Sequence, residues 1–209
     1  MNKIPTLFAR NHETDHLVRD ELNPDAEWVA AGEGEATVKL DGTCCMVKMG
    51  KLYRRYEVKK GKPTPDDFEP AAATDPITGK TVGWRPVGDD PSDKWHREAW
   101  EAWNIHDVSR SDGTYELIGP KVQKGVEGVH KHILVPHGNT IIFQAPRTFD
   151  AIRQFLSEVN IEGIVWHHTD GRMAKIKAKD FGMRRGPGRP IGVPAVVNTA
   201  LGGTSEVGT

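Results

Sequence analysis

Apolar positions along the chain follow two rhythms. Short alternating or continuous runs, bounded by Gly, Pro, Asp and Asn, predict strands on both sides of Asp41-Gly42 within residues 35–47, then at 52–58, 114–118, 140–143, 161–166 and 174–178. Glu27-Trp28-Val29 reads as a further short strand. A turn at Gly50-Lys51 closes a hairpin, Asp112-Gly113 leads into the strand at 114–118, and residues 167–171 turn the chain back into 174–178. Helical spacing occurs twice. Trp95, Ala99, Trp100 and Trp103 predict an amphipathic helix starting near Ser92, its aromatic stripe facing the core and His96-Arg97 facing out. Phe149, Ile152, Phe155, Leu156 and Val159 predict the buried stripe of a second helix, capped by Thr148. Residues 59–93 are proline-rich and carry few periodic apolar positions, so a long irregular insertion is expected there, with a turn at Asp75–Gly79 and Trp84 as its anchor. From Gly186 onward no period remains, and a flexible tail is expected. Strands in hairpin succession with two flanking helices give an α+β class built on antiparallel sheets.

Composition narrows the class. At 209 residues, with 37% apolar and 27% charged, the chain has globular proportions and the length for one domain. No run approaches twenty apolar residues and the N-terminus has no basic then apolar leader, which predicts a soluble, cytoplasmic protein. Cys44 and Cys45 are adjacent, so in a strand they point to opposite faces; both are expected to be reduced packing residues. The net charge of −1 hides a polarity: residues 13–35 hold eight acidic residues against one Arg, whereas residues 173–190 hold six Lys/Arg against one Asp. A polyanion would meet the second region.

Candidate chemistry starts at Lys39. The lysine sits in a β-prone run and is followed by Asp41-Gly42, a posture that would hold an amine beside a tight loop. An amine attacks only as the free base, and neighbouring cations or a metal help it reach that state. Lys175 and Lys177 stand at i and i+2 of a strand and so put two ammonium groups on one surface, where a phosphate is expected. Were the fold to bring them near Lys39, they would also favour its free base by like-charge repulsion. Glu162, in a strand that reads as central, is expensive to bury without a cation, either a divalent metal or Lys39 itself. Glu116, between Tyr and Leu in another buried strand, needs a partner for the same reason. His130, His132 and His137 lie in a polar loop, 120–139, without a Cys or acid at metal-binding spacing, and no zinc site is expected there.

The succession Lys39-Leu-Asp-Gly42, Glu116 in its strand, Glu162-Gly-Ile-Val165 and Lys175-Ile-Lys177 resembles the covalent nucleotidyltransferase superfamily of ligases and RNA capping enzymes. Lys39-Leu-Asp-Gly-Thr-Cys-Cys45, Tyr53-Arg-Arg-Tyr-Glu57 and Asp93-Lys-Trp-His-Arg-Glu98 are most similar to a family of small ATP-dependent 5′-3′ RNA ligases, over about Phe8 to Gly182. The resemblance implies a single adenylyltransferase domain over 1–185, no C-terminal OB domain, and a tail over 186–209. It implies that Lys39 is the nucleophile, that Lys175 and Lys177 contact the α-phosphate, and that Glu162 orients Mg²⁺ or Mn²⁺. Asp41 and Gly42 would shape the turn, Glu116 would bind the ribose, and residues from Glu35 to Val38 would touch the base through main chain. Arg55 would face the pocket, on ribose or RNA 5′-phosphate, while Arg54 stays solvated. Phe143 is the candidate for stacking on adenine, and Arg184, Arg185 and Arg189 for contacts to RNA. The implied substrates are ATP and RNA with 5′-phosphate and 3′-hydroxyl ends, handled by a monomer without a membrane. Two alternatives stay open: a GTP-dependent capping-type guanylyltransferase, and a catalytically silent RNA-binding module.

Overall fold

The computed structural model describes residues 4–103 and 111–185, and among them the chain forms eleven strands and three α-helices. The elements run β1 (Phe8–Arg10), β2 (Val18–Leu22), α1 (Glu27–Ala30), β3 (Glu35–Lys39), β4 (Thr43–Lys48), β5 (Lys51–Val58), β6 (Glu69–Pro70) and β7 (Thr81–Pro86). They continue with α2 (Lys94–Ala102), β8 (Gly113–Ile118), β9 (Ile133–Pro136), α3 (Phe149–Glu158), β10 (Gly163–His167) and β11 (Met173–Lys177). β1 and β2 pair alone. A three-stranded sheet has the order β11-β10-β3, and a six-stranded sheet has the order β6-β7-β5-β4-β8-β9. Every named strand pair is antiparallel, as hairpin succession predicts.

The chain leaves the small sheet at Lys39 and enters the large one at Thr43. Asp41-Gly42 is therefore a crossover between sheets rather than a hairpin turn. It passes so close to β8 that a Cβ on Gly42 would lie 2.2 Å from the Leu117 carbonyl oxygen, a separation only glycine avoids.

Each sheet has its own core. Val38, Ile164, Trp166 and Ile176 of the small sheet pack with Ile152 and Leu156 of α3 and with Leu7 and Phe8. Cys45, Val47, Leu52 and Leu117 of the large sheet pack with Ala99 of α2, and Trp95, Trp100 and Trp103 close that cluster at its margin. Both predicted helical stripes thus face apolar cores, where a buried Leu or Ile is worth about 1.5–3 kcal/mol. Both edges of the small sheet are covered. Along β11, the Lys175 amide donates to Pro5 O at 3.0 Å and the Leu7 amide to Lys175 O at 2.8 Å; along β3, the Val38 amide donates to Thr140 O at 2.9 Å and the Ile142 amide to Ala36 O at 2.8 Å.

Several elements differ from the sequence reading. Residues 27–30 are helical because Pro24 starts a 3-10 turn capped by the Asn23 side chain, and the chain continues from it into α1. The insertion at 59–93 is not wholly irregular: β7 pairs with β5 over Tyr53↔Pro86 to Val58↔Thr81 and buries Trp84. The loop at 120–139 contains β9, recruited by the free edge of β8. Residues 140–143 make an isolated bridge, Thr37↔Ile141, instead of a strand. Thr148 stands at the N-cap of α3, but its side chain makes no capping bond. Arg189 and the tail expected from Gly186 lie outside the described residues.

Candidate functional site

The small sheet sets three residues in one row. Gly163 of β10 is paired with Lys39 on one side and Lys177 on the other. Directly opposed residues in antiparallel strands point to the same face, so the two lysine stems flank a position that carries no side chain. A Cβ on Gly163 would sit 2.0 Å from Ile176 O and 2.8 Å from the Lys177 Cα. Glu162 fills the gap: its Oε2 lies 2.5 Å from Lys39 Nζ and its Oε1 2.5 Å from Lys177 Nζ. Burial alone would push the Glu162 carboxyl up, but the two lysines outweigh it and hold it below the usual carboxylate range. Lys175 shares the face of Lys177. Burial, then Lys177 and Lys39, bring its ammonium down to about 8, against weaker opposition from Asp180 and Glu162.

Buried charges fix this arrangement from behind. Asp180 accepts from the Lys177 amide at 2.9 Å and pairs with Arg10 at 2.5 Å. Glu127, almost fully buried, accepts from the Asp41 amide at 2.7 Å and pairs with Arg185 at 3.2 Å; Arg185 in turn donates to Asn160 O at 2.8 Å. Glu116 receives the Gly42 amide at 3.0 Å and lies 2.8 Å from His137 Nε2. The Lys39-to-Gly42 segment is thereby tied to β8, to the loop before β9 and to the segment after β11. Just ahead of β3, Arg147 donates to the carbonyls of Val29, Glu33 and Gly34.

The two sheets enclose a cavity of about 1030 Å³. Val38, Lys39, Lys175 and Lys177 line one side, and Cys44, Arg55 and Glu116 line the other. A further wall comes from residues 72–78 with Lys80 and Val82, so the insertion is part of the cavity. Arg55 reaches it with its guanidinium 5.0 Å from the centroid of Trp84. A second cavity, about 760 Å³, shares Lys39, Gly42 and Lys177 with the first and adds Asp41, Glu162, Lys179, Arg184 and Arg185. Burial and then Glu162 raise the Asp41 carboxyl.

Of the residues singled out as nucleotide or metal contacts, Glu35, Ala36 and Phe143 line neither cavity, and the others line one or both. Phe143 is 85% exposed and outside both, because residues 140–143 cross the β3 edge without joining the sheet. The Val38 amide is already bonded to Thr140 O and its side chain packs in the apolar core, so that main-chain donor is not free for a base. Arg54 is not solvated: it pairs at 2.8 Å with buried Asp93 at the start of α2. His96 is buried rather than turned outward, with burial lowering its imidazole. Cys45 packs in the core as expected, but Cys44 faces the cavity. Glu127 escapes the sequence reading, and His137 enters it only as one of three histidines in a loop with no metal-binding partner of its own; each meets its partners through tertiary pairing.

The RNA ligase 1 family profile matches residues 94–198, a stretch that contains Glu116, Glu162, Lys175 and Lys177 and begins after Lys39. RNA ligase 1 of Pongo abelii is 26% identical over 217 aligned positions, covering 70% of this chain and 67% of its own length. RNA ligase 1 of Danio rerio is 30% identical over 162 positions, covering 62% of this chain and 46% of its own. With the profile spanning half of its residues, the chain belongs to the RNA ligase 1 family.

Proposed function

We propose that the chain is an ATP-dependent RNA ligase that works through a covalent lysyl-AMP. The observation that carries this reading is the row Lys39–Gly163–Lys177 with Glu162 bridging both amines, set where the two cavities meet. Two antiparallel sheets enclosing a cleft, with the nucleophile on the crossover between them, are what support a nucleotidyltransferase fold for residues 1–185. The adenosine takes the larger cavity, with Glu116 on the ribose hydroxyls and Arg55 beside them. Lys175 and Lys177 meet the α-phosphate.

An ammonium in an ion pair has no lone pair to offer, so Lys39 must first part from Glu162 and shed a proton. Its nitrogen then attacks the α-phosphorus; an N–P bond forms, the bond to the bridging oxygen breaks, and pyrophosphate leaves. An oxygen of an RNA 5′-phosphate next displaces Lys39 from AMP, which restores the amine. Finally a 3′-hydroxyl, losing its proton, attacks the activated 5′-phosphate and releases AMP. Lys177, Lys179 and Arg184 in the second cavity suit an incoming RNA end, because fixed cations there offset phosphate charge. Asp41 and Glu162 are hard oxygen donors of the kind Mg²⁺ or Mn²⁺ takes beside a nucleotide phosphate, and the ion would supply further charge neutralisation at the transferred group. A GTP-using capping-type enzyme would employ the same row of residues.

Labelled ATP, GTP and NAD separate these readings. With Mg²⁺ present, ATP is expected to leave a covalently labelled band that Lys39→Ala abolishes, and the labelled protein is expected to join 5′-phosphate and 3′-hydroxyl RNA ends. Labelling by GTP alone would remove the ligase reading, and no labelling by any of the three would leave an RNA-binding module.

A further inference from the structure

Cys44 faces the larger cavity without a part in the chemistry proposed above. It is the cross-strand partner of Glu116, Cys44 on β4 and Glu116 on β8, so their side chains share one face of the large sheet. Glu116 is in turn paired with Val135 on β9, and His137 follows Val135 by two residues. The result is a thiol, a carboxylate and an imidazole whose candidate ligand atoms all lie within 4.8 Å of one another. His137 Nε2 lies 2.8 Å from a Glu116 oxygen, whereas its Nδ1 is buried with no hydrogen-bond partner among the described residues. If Nε2–H donates to Glu116, that Nδ1 keeps an unengaged lone pair.

The geometry points to a site for a thiophilic divalent cation, Zn²⁺ by chemistry, held by Cys44, Glu116 and His137 at the nucleotide cavity and exclusive with bound nucleotide. The donor set decides the metal. One sulfur, one nitrogen and one oxygen suit Zn²⁺, three protein ligands leave its fourth position open, and Mg²⁺ has no affinity for a thiolate. The set is distinct from the all-oxygen pair Asp41 and Glu162. Exclusivity rests on the proposed function: Glu116 Oε1 already accepts from the Gly42 amide, so a metal and the ribose hydroxyls compete for what its two oxygens have left, and each ligand weakens the other by the same factor. Zinc at this site is thus an inhibitor of the first step, reversed by chelation.

Cobalt is the probe, because a cysteine thiolate bound to Co²⁺ gives a charge-transfer absorption that oxygen and nitrogen ligands do not. The chelator-stripped full chain, under reducing conditions, is titrated with Co²⁺ and then with Zn²⁺ in competition. The expected result is one equivalent bound with the charge-transfer band, displacement by Zn²⁺, and no displacement by Mg²⁺. Cys44→Ser removes the band and Cys45→Ala keeps it. His137→Ala weakens binding by more than about tenfold, the least that loss of a direct ligand should cost. Absence of the band, or a band that survives Cys44→Ser, overturns the site. Adenosine, which carries the ribose hydroxyls but no phosphates to chelate the metal, is then added: a fall in Co²⁺ affinity supports exclusivity, and an unchanged affinity at saturating adenosine overturns it. Self-labelling by ATP is measured separately, so loss of the metal site leaves the ligase reading standing, and the reverse.

Discussion

Lys175 offers a direct test of the charge arrangement, one that does not depend on the reaction. In the unfolded chain its ammonium keeps its proton up to about pH 10.5; in the folded protein burial, Lys177 and Lys39 bring that point down to about 8. Between those limits the unfolded chain binds a proton that the native protein has released, so stability rises with pH across that window and the full penalty applies below it. At about 1.4 kcal/mol per pH unit, the penalty at neutral pH is about 3 kcal/mol, a ceiling because Lys175 is only partly buried and solvent screens it. Lys175→Met keeps the apolar stem and removes the charge. The variant should therefore be more stable than the parent at pH 7, and in a chain this long each kcal/mol moves Tm by about 2–4 °C. Thermal melts of both proteins at pH 7 and 9.5, at equal ionic strength, read the effect. The gap is expected to be widest at pH 7 and to shrink toward pH 9.5. Lys177→Met supplies a contrast, since it removes an ion pair to Glu162 at 2.5 Å and should lower Tm at pH 7. A Lys175→Met protein that melts below the parent at pH 7, or a gap that ignores pH, would refute the assignment of Lys175 as a half-buried, under-compensated cation.

The same geometry yields further expectations. ATP affinity, measured on Lys39→Ala so that no labelling intervenes, should decline as pH rises through about 8, where Lys175 loses the charge proposed to meet the α-phosphate; an affinity constant to pH 9.5 would exclude that role. Gly163→Ala forces a Cβ against Ile176 O and is expected to cost about 1–3 kcal/mol by denaturant titration while cutting labelling far more than a stability loss of that size explains. Glu127→Ala strands both the Asp41 amide and Arg185, with a loss of up to about 3–5 kcal/mol, and adding Arg185→Met should recover part of it; an additive double mutant would show the pair to be uncoupled. Phe143→Ala, at a side chain outside the cavity, should leave nucleotide affinity within about twofold, since surface changes away from partners are worth less than about 0.5 kcal/mol.

What the sequence made legible was whatever depends on local period. Strand alternation alone places Lys175 and Lys177 on one face, and the stripe from Phe149 to Val159 is enough to find α3 and its buried side. What it withheld depends on pairing. β7 and β9 have weak periodic signals of their own and form strands because β5 and β8 present edges that need partners, whereas Thr140–Phe143 carries the better pattern and meets only a short stretch of β3. The site follows the same division. Lys39 and Lys177 are 138 positions apart in the chain, and what aligns them is the register of β10, with Gly163 opposite both. Glu127 has no spacing that could announce it, and neither the loop position of His137 nor the basic run that holds Arg185 announces a partner; each is defined by the group it meets across the fold.

That register explains why the positive charges can be gathered at all. Three lysines on one small sheet would repel one another, and among the described residues the only carboxylate in direct contact with two of them is Glu162, which leaves Lys175 to carry the depression. A stable fold alone has no use for an extra half-buried cation beside a pair already satisfied, since apolar replacement of such a group is commonly neutral or better. An anion arriving in the cavity reverses the balance: it gives Lys175 the partner it lacks and competes with Glu162 for Lys177. The stability cost of Lys175 in the free protein and its attraction for phosphate are therefore two readings of the same missing negative charge. A substitution that removes one must remove the other.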